Sequence, residues 1–365
     1  MSNIHNRPPK FRRFTKEPIT ASTDVLSVDD NIKKGILKDT LGDIPQYYQD
    51  IKFDYRFYDD VVGAKLHNEL RSSKINLSGK LKSHNPLTHN YLNDGQTLPR
   101  NYSLRKYVTK VLNQGNLGAC VAHSAVQAIN IIMQTERNKL TVAKIDAPII
   151  PASRGWLSSW WYRTPQIAPN LSAKLSTNLR EFREGFYGSR LFVYDSARIE
   201  DGTSLLDDAG CTNLSACLGL TSWKVCDEII WPYDESKFSI KPPTSAYDDA
   251  QKHTLFTYSI VEQDFTALCR AIASDHPVMF GIQVHSSMIR SGLNGGRGIV
   301  PMPRSDDSLM GGHSLLAVEY DLDQQTIGFV NHWGQWGDDG FGTIPSAYLE
   351  DSSLSGDFCA IEAFQ

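Results

Sequence analysis

One stretch of the chain repeats apolar residues at the spacing of an amphipathic helix, and it begins at Cys120. Between Cys120 and Arg137 the apolar positions are related by steps of three and four residues, so they form one continuous face: Ala122, Ala125, Val126, Ile129, Ile132 and Met133. A glycine-containing stretch from Asn113 to Gly118 comes directly before them. The pattern predicts a loop followed by a buried central helix over residues 120–137, with a thiol in its first turn.

From about residue 256 onward the hydrophobic period shortens to two, which is typical of β-strands. The strand-like segments are "HPVMFGIQVH", "HSLLAVEYD" and "TIGFVNHWG", separated by turns rich in Gly, Pro and Asp. Because helices come first and strands second, the order predicts an α+β fold of two lobes. One lobe is helical, the other is an antiparallel β-barrel-like lobe, and a cleft separates them.

The last two of these segments are joined by a short polar turn and should form an antiparallel hairpin. If the turn centres on Leu322, residues whose numbers sum to 644 face each other, and His313 lies opposite Asn331. Their side chains then share one face within reach of each other. A slip of one residue would separate them, so this is a specific prediction about register.

Residues 1–98 differ from the remainder and are interpreted as an N-terminal extension to a domain of residues 99–365. The extension is polar and turn-rich, with some helix expected near residues 58–72, and it carries aromatic residues able to anchor it: Tyr47, Tyr48, Phe53, Tyr55, Phe57 and Tyr58. The first 100 residues of the chain hold 16 Lys and Arg against 12 Asp and Glu, whereas the rest holds 21 against 29. Opposite net charges favour attachment of the extension to the domain.

The composition is that of an ordinary globular protein, with 41% hydrophobic residues and a net charge of −4 over 365 residues. Residues 154–188 hold a tryptophan-rich cluster that is interpreted as core. Nucleic acid is not an expected partner, apart from a weak case for the first twenty residues, which carry five basic side chains. We find neither a signal peptide nor a run of about 18 apolar residues, so no membrane partner and a cytoplasmic or virion-associated location are expected.

The six cysteines do not follow a metal-binding spacing. Cys211, Cys217 and Cys226 are close in sequence, but their spacings do not match common structural zinc sites, and buried free thiols are the preferred interpretation. No metal and no cofactor is therefore expected.

Four residue types in this pattern point to acyl transfer. A cysteine at a helix start meets unpaired backbone N–H groups that favour a thiolate. A histidine held by an asparagine can act as the base, and Gln114, six residues before Cys120, can donate to an oxyanion.

Several segments of the chain together resemble one known protein family. The segment "LNQGNLGACVAHSA" resembles the nucleophile segment of papain-like cysteine peptidases, "GGHSLLAVEYD" resembles their histidine strand, and "FVNHWGQWGDDGFGTIP" resembles their asparagine segment. Intervening stretches such as "DDAGCTNLSACLGL" and "VCDEIIWPYDESKF" are similar to the branch found in bacteria, archaea and large DNA viruses. The resemblance covers about residues 98–365.

The resemblance implies a role for each matching residue. Cys120 matches the nucleophile, His313 the general base and acid, Asn331 the residue that orients it, and Gln114 the oxyanion donor. Trp333 matches the indole that covers the Asn–His hydrogen bond. In the substrate cleft, Gly210 matches a residue that pairs with substrate backbone, and Gly281 and Gly312 match the lining of the pocket for the second residue before the scissile bond.

Three positions depart from the family pattern. Val121 replaces an aromatic residue, His332 replaces a serine, and Glu319 replaces a glycine. The extension also lacks the spaced Glu/Arg/Phe/Asn helix pattern of plant and lysosomal pro-segments, so a removable inhibitor, a permanent arm and a docking element all stay open.

The resemblance implies a cysteine endopeptidase that acts on peptide or protein substrates through an acyl-enzyme thioester. Two alternatives are a papain-fold structural or virion assembly protein whose site is unused, and another Cys-His acyl transferase such as a transpeptidase or amidase.

Overall fold

The computed structural model describes residues 43–53, 97–145, 186–253 and 256–363. The α-helices in this part of the chain are α1 (Gln46–Asp50), α2 (Cys120–Ile145), α3 (Arg190–Glu200), α4 (Asn213–Trp223), α5 (Thr244–Ala250), α6 (Phe265–Ala273), α7 (Ser286–Ser291) and α8 (Ser346–Glu350). The strands are β1 (Asn101–Ser103), β2 (Phe256–Ile260), β3 (Val278–His285), β4 (Leu309–Asp321), β5 (Thr326–Val330), β6 (Phe341–Pro345) and β7 (Ser355–Ala363). The helix expected near 58–72 and nearly all of the tryptophan-rich stretch lie outside the described residues.

Helix α2 begins at the predicted residue, Cys120, and continues eight residues beyond the predicted end at Arg137. Its first turns are buried on nearly every side, from Val121 through Ile132, because α3 and α4 cover one flank and β3, β4 and β7 the other. The next two helices are capped in the usual way, with Ser189 capping α3 and a Thr212/Ser215 capping box starting α4. The central buried helix is confirmed.

All the strands belong to one antiparallel sheet, in which β2, β7, β3, β4, β5 and β6 are neighbours in that order and β1 pairs with β4. Strand β4 is the longest of them, at 13 residues. It runs between β3 and β5, and its middle contacts α2. The combination of packed helices and an antiparallel sheet confirms the α+β prediction.

The predicted register of the last hairpin is wrong. Next to the turn the paired numbers sum to 647, as in Asp321 with Thr326, and beyond a bulge they sum to 646, as in Leu316 with Val330. The predicted sum was 644, so His313 is not directly opposite Asn331. The turn centres between Asp323 and Gln324 rather than on Leu322.

The bulge lies between Ala317 and Glu319 and shifts the pairing by one residue, so it changes which residues of the two strands share a face of the sheet. A sum of 647 would have put His313 and Asn331 on opposite faces, whereas 646 differs from the predicted 644 by two and returns them to one face. Glu319 lies at the bulge and requires Gly328 opposite it, because a Cβ there would collide with its side chain.

All six cysteines are free and buried. Among the described residues no group of three or more His, Cys, Asp or Glu side chains is arranged to hold a metal ion. The described helices also include none with the length and apolar character needed to cross a membrane.

Candidate active site

Cys120 is the first residue of α2 and is completely buried. The loop before it turns at Gly115, whose φ of 63° is a conformation that favours glycine. Asn113 forms an isolated antiparallel bridge with Trp333, so the loop is tied to the chain that follows β5. The thiol therefore lies at a helix N-terminus, where unpaired N–H groups favour negative charge.

His313 and Asn331 form the hydrogen bond that defines the site. His313 Nε2 lies 2.9 Å from Asn331 Oδ1, and both side chains are fully buried. The backbone N–H of His332 also donates to Asn331 Oδ1 at 2.8 Å, which identifies that atom as the oxygen. An amide oxygen can only accept, so Nε2 carries the proton and Nδ1 is the basic nitrogen. Nδ1 is buried and has no hydrogen-bond partner.

Trp333 covers this pair. Its ring stacks on His313 with a centroid distance of 4.6 Å and an interplanar angle of 26°, and its side chain is 1% exposed. An indole in this position keeps water away from the His313–Asn331 bond, which strengthens it.

Gln114 is fixed by its backbone on both sides. Its N–H donates to His332 O at 2.9 Å, and its carbonyl accepts from Tyr233 Oη at 2.7 Å. The side-chain Nε2 donates to Leu117 O at 3.1 Å, while Oε1 is buried without a partner. One hydrogen of Nε2 remains for another acceptor.

A second contact ties α2 to the histidine strand. Ser314 Oγ lies 3.0 Å from Ser124 Oγ and donates to Asn213 Oδ1 at 2.7 Å. Ser124 lies one helical turn after Cys120, and Ser314 follows His313. This contact joins α2 to β4. The His313–Asn331 bond joins β4 to the segment after β5, and the bond from Gln114 N to His332 O joins that segment to the loop before Cys120.

Two of the predicted substrate-binding glycines, Gly281 and Gly312, lie beside His313. Gly281 in β3 is paired with Ser314, next to the pair of Ile282 and His313. Gly312 directly precedes His313. Gly210 is buried with a φ of 65°, and its N–H donates to Tyr194 Oη at 3.1 Å, so this N–H is already bonded within the chain.

Residues 43–53 contact both sides of the site. On the strand side, Phe53 O accepts from Gly312 N at 3.2 Å, and the Phe53 ring lies 6.3 Å from the His313 ring and 5.6 Å from Trp333. Gly311 has to be a glycine here, because a Cβ would lie 2.7 Å from Phe53 O and its own φ is 137°.

On the helix side, Tyr47 Oη donates to Asn113 Oδ1 at 2.8 Å, and Lys52 Nζ pairs with Asp208 Oδ2 at 2.7 Å. Asp43 pairs with Arg290, and Ile44 and Ile51 are buried at 2% and 4% exposure. Three of the aromatic anchors foreseen from the sequence, Tyr47, Tyr48 and Phe53, fall in this segment; Tyr55, Phe57 and Tyr58 lie outside the described residues.

Two further buried imidazoles, those of His332 and His123, lie near His313. The His332 ring lies 6.5 Å from that of His313 and 5.7 Å from that of His123, and neither of its nitrogens has a hydrogen-bond partner. Burial lowers the pKa of His313 to about 4, against the opposing effect of the Asn331 bond. Burial, aided by the charge of Arg190, lowers the pKa of His123 to about 3, and burial holds that of His332 well below its ordinary value.

These shifts predict acid destabilisation. In the unfolded chain a histidine takes up a proton near pH 6.5, whereas folded His313 does so only near pH 4. Unfolding therefore takes up protons between pH 6.5 and 4, and stability falls as the pH falls through that window, by about 1.4 kcal/mol per pH unit for each such histidine. Urea unfolding at several pH values measures this slope.

The matched variant for this prediction is His332→Ser. Burial raises the pKa of Asp195 to about 6, so Asp195 changes stability with pH in the opposite direction to the histidines. The pH slope of the variant is therefore compared with that of the wild type rather than with zero. The His332→Ser slope should be smaller by about one proton, or about 1.4 kcal/mol per pH unit. Equal slopes in the two proteins would show that His332 is protonated in the folded state.

Sequence reasoning missed the residues that hold the loop before Cys120. Tyr233 bonds Gln114 O, Glu235 Oε2 accepts from Asn116 N at 3.0 Å, and Asp208 accepts from Gly118 N at 3.0 and 3.2 Å. These partners are 90 to 119 residues away in sequence. Tyr233 lies within "IIWPYDES", a stretch that only the family resemblance singles out.

Proteins similar to this chain in sequence and in fold are known. No protein-family model matches the chain. Over 191 residues the chain is 33% identical to the uncharacterized peptidase C1-like protein L477 of Acanthamoeba polyphaga mimivirus, a match that covers 49% of this chain and 60% of that relative. The fold matches the crystal structure of xylellain, a cysteine protease from Xylella fastidiosa, with a TM-score of 0.55 and 26% identity, over 78% of this chain and 91% of that one.

The fold is that of a papain-like cysteine protease. By sequence and fold together, the chain is similar to papain-like cysteine proteases, and one protein that it resembles is encoded by a large DNA virus.

Proposed function

We propose that the chain is a cysteine endopeptidase whose triad is Cys120, His313 and Asn331. One observation carries the proposal: His313 is bonded to Asn331 through Nε2 and leaves Nδ1 buried and unpartnered, in a strand that is hydrogen-bonded at Ser124 to the helix that Cys120 begins. This arrangement fixes the tautomer that a thiol-activating base needs.

The proposed reaction proceeds through a thioester. His313 Nδ1 takes the proton of the Cys120 thiol, and the sulfur attacks the peptide carbonyl to give a tetrahedral intermediate. Protonation of the leaving nitrogen by His313 expels the amine and leaves the acyl group on the sulfur. Water, deprotonated by His313, then releases the acid and restores the thiol. The oxyanion would be bound by the Cys120 N–H and the remaining hydrogen of Gln114 Nε2.

Two measurements test this function together, both on the variant Ile51→Ala, because residues 43–53 cover the site in the wild type. Mass spectrometry after treatment with iodoacetamide or a thiol-directed epoxide should find Cys120 labelled ahead of the five other cysteines. Digestion of a peptide with an added amine nucleophile should give mostly the free acid. Amide products would favour an acyl transferase, and absence of both labelling and digestion would favour a structural protein with an unused site.

We also propose that residues 1–98 form an extension that inhibits the domain of residues 99–365. The contacts of residues 43–53 support this, since they reach Gly312, Trp333, Asn113 and Asp208 on both sides of the site. Cys120, His313, Asn331 and Gln114 are all fully buried in the presence of this segment. A peptide substrate needs that space, so the segment has to leave before a substrate can bind.

Weakening the segment should expose the thiol. Ile51→Ala removes a side chain that is 4% exposed, at a cost of about 2–5 kcal/mol to the closed state. If Cys120 is alkylated only from the open state, its labelling rate by iodoacetamide should rise about 30-fold or more. The rate is measured by quenched time points and peptide mass spectrometry on the full chain.

Ile240→Ala is the matched control, because this isoleucine is 53% exposed and the same truncation there costs little. Its labelling rate should equal that of the wild type. An unchanged rate in Ile51→Ala, with an unchanged circular dichroism spectrum, would contradict an inhibitory role for the segment.

A further inference from the structure

The carboxylate of Asp208 is held in a fixed position beside the loop that leads to Cys120. Gly118 N donates to Oδ1 at 3.0 Å and to Oδ2 at 3.2 Å, and Tyr194 Oη donates to Oδ1 at 2.6 Å. The Asp208 side chain is only 6% exposed. Among the residues that the structure describes, its cationic partner is Lys52, whose ammonium nitrogen lies 2.7 Å from Oδ2.

This carboxylate lies close to the reacting groups. Gly118, to which it is bonded, is two residues before Cys120. Lys52 is followed by Phe53, whose carbonyl accepts from Gly312, the residue before His313. The Lys52–Phe53 peptide therefore passes between the wall that carries the nucleophile and the wall that carries the base. At that point the Lys52 side chain is directed to Asp208.

Departure of the segment removes the ammonium group and leaves the carboxylate in place. Gly118 and Tyr194 continue to bond Asp208, so the charge stays oriented towards the vacated position. A second carboxylate, Glu235, is bonded to Asn116 of the same loop and adds to the negative potential there. A preorganised carboxylate that has lost its partner favours a new cation over a neutral side chain.

We propose that Asp208 selects substrates in which Lys or Arg supplies the carbonyl attacked by Cys120, and that Lys52 occupies this subsite while the segment is bound. The inference rests on the proposed peptidase function and names the substrate class. The competing explanation is that Asp208 serves only to fix the Gly118 loop. Asp208→Asn separates the two, because its amide oxygen can still accept from Gly118 while its charge is gone.

The experiment uses the full chain with Ile51→Ala, to open the segment, and Lys52→Met, to empty the subsite. Two tripeptidyl chloromethyl ketones are compared, one with Lys and one with norleucine next to the ketone. In each, the Cys120 sulfur displaces chloride and forms a thioether, so labelling reports binding without turnover. The rate ratio of the two probes is measured by mass spectrometry with Asp208, with Asp208→Asn, and with Asp207→Asn, an exposed neighbouring carboxylate, as the control.

With Asp208 present, the lysine probe should label Cys120 about tenfold faster than the norleucine probe, as expected for one charge-assisted contact that water partly screens. Asp208→Asn should bring the ratio to about one, whereas Asp207→Asn should leave it unchanged. When lysine or norleucine is instead placed one residue further from the ketone, the labelling rates of the two probes should differ by less than about twofold.

A ratio near one with Asp208 present, or a ratio unaffected by Asp208→Asn, would overturn the inference, as would labelling by iodoacetamide without labelling by either peptide probe. Those results differ from a failure of the proposed function, in which iodoacetamide itself does not label Cys120 preferentially.

Discussion

Cys120→Ala is expected to reduce peptide hydrolysis by about 10⁴-fold or more, because no other group in the site can form the acyl intermediate. Replacing one buried sulfur by hydrogen should lower the free energy of unfolding by only about 1 kcal/mol. Peptide hydrolysis is measured with fluorogenic peptides in the Ile51→Ala background. The free energy of unfolding is measured by urea denaturation. Retained activity in the alanine variant would disprove the mechanism.

The control for this prediction is Cys269→Ala, in α6. Cys269 is buried as completely as Cys120, so both substitutions cost similar packing, but Cys120 begins a helix and is the proposed nucleophile, whereas Cys269 lies inside α6. Burial raises the pKa of Cys269 and of Cys226 to about 12, and the pKa values of Cys211 and Cys359 are also raised well above the ordinary value. These four thiols are protonated at pH 7 and should react slowly with alkylating reagents. Hydrolysis and Cys120 labelling should both survive in Cys269→Ala.

Gln114→Ala is expected to lower kcat by about 10²–10³ with little change in KM, because an oxyanion donor acts mainly on the transition state. The fold should tolerate the change. The side chain has one hydrogen bond, to Leu117 O, and its Oε1 is already buried without a partner. The loop itself is held through the Gln114 backbone by His332 and Tyr233, and the substitution leaves those bonds in place.

Gln134→Ala provides the matched control. Gln134 lies on α2, and its Nε2 also donates to a backbone carbonyl, that of Tyr107. Losing this bond should affect stability by about 1 kcal/mol and kcat by less than about threefold. If both glutamine variants lost activity equally, the Gln114 effect would be structural and the oxyanion assignment would be wrong.

The sequence located the central helix and the strands well because each is specified by local chemistry. Cys120 marks the start of α2, since the glycine-containing loop ends where the helical apolar period begins. Strands β3 and β5 fall within the predicted segments, and β4 ends with its segment at Asp321 but begins at Leu309, four residues before it. The C-terminal end of α2 was placed eight residues too early, because the apolar face fades after Met133 while helical hydrogen bonding continues.

The contact between His313 and Asn331 was foreseen from an incorrect register. The hairpin turn lies more than one residue further along the chain than expected, and a bulge between Ala317 and Glu319 compensates for it. Bulges depend on packing across neighbouring strands, here on Gly328 making room for Glu319, and no local sequence pattern specifies them. The prediction therefore placed the His313 and Asn331 side chains on the same face of the sheet, although it paired the wrong residues.

The sequence by itself determined the fold class, the start of the helix at Cys120 and the residue types of the proposed triad, since these follow from periodicity and short motifs. Only the tertiary structure decided which groups surround them: Phe53 on Gly312, Lys52 on Asp208, Tyr233 on Gln114, and His332 between two other imidazoles. The hydrogen bonds and the ion pair among these join residues separated by 119 to 259 positions, and His332 faces His123 from 209 positions away. Contacts over such distances depend on how the helices and the sheet pack together, which no short stretch of the chain encodes.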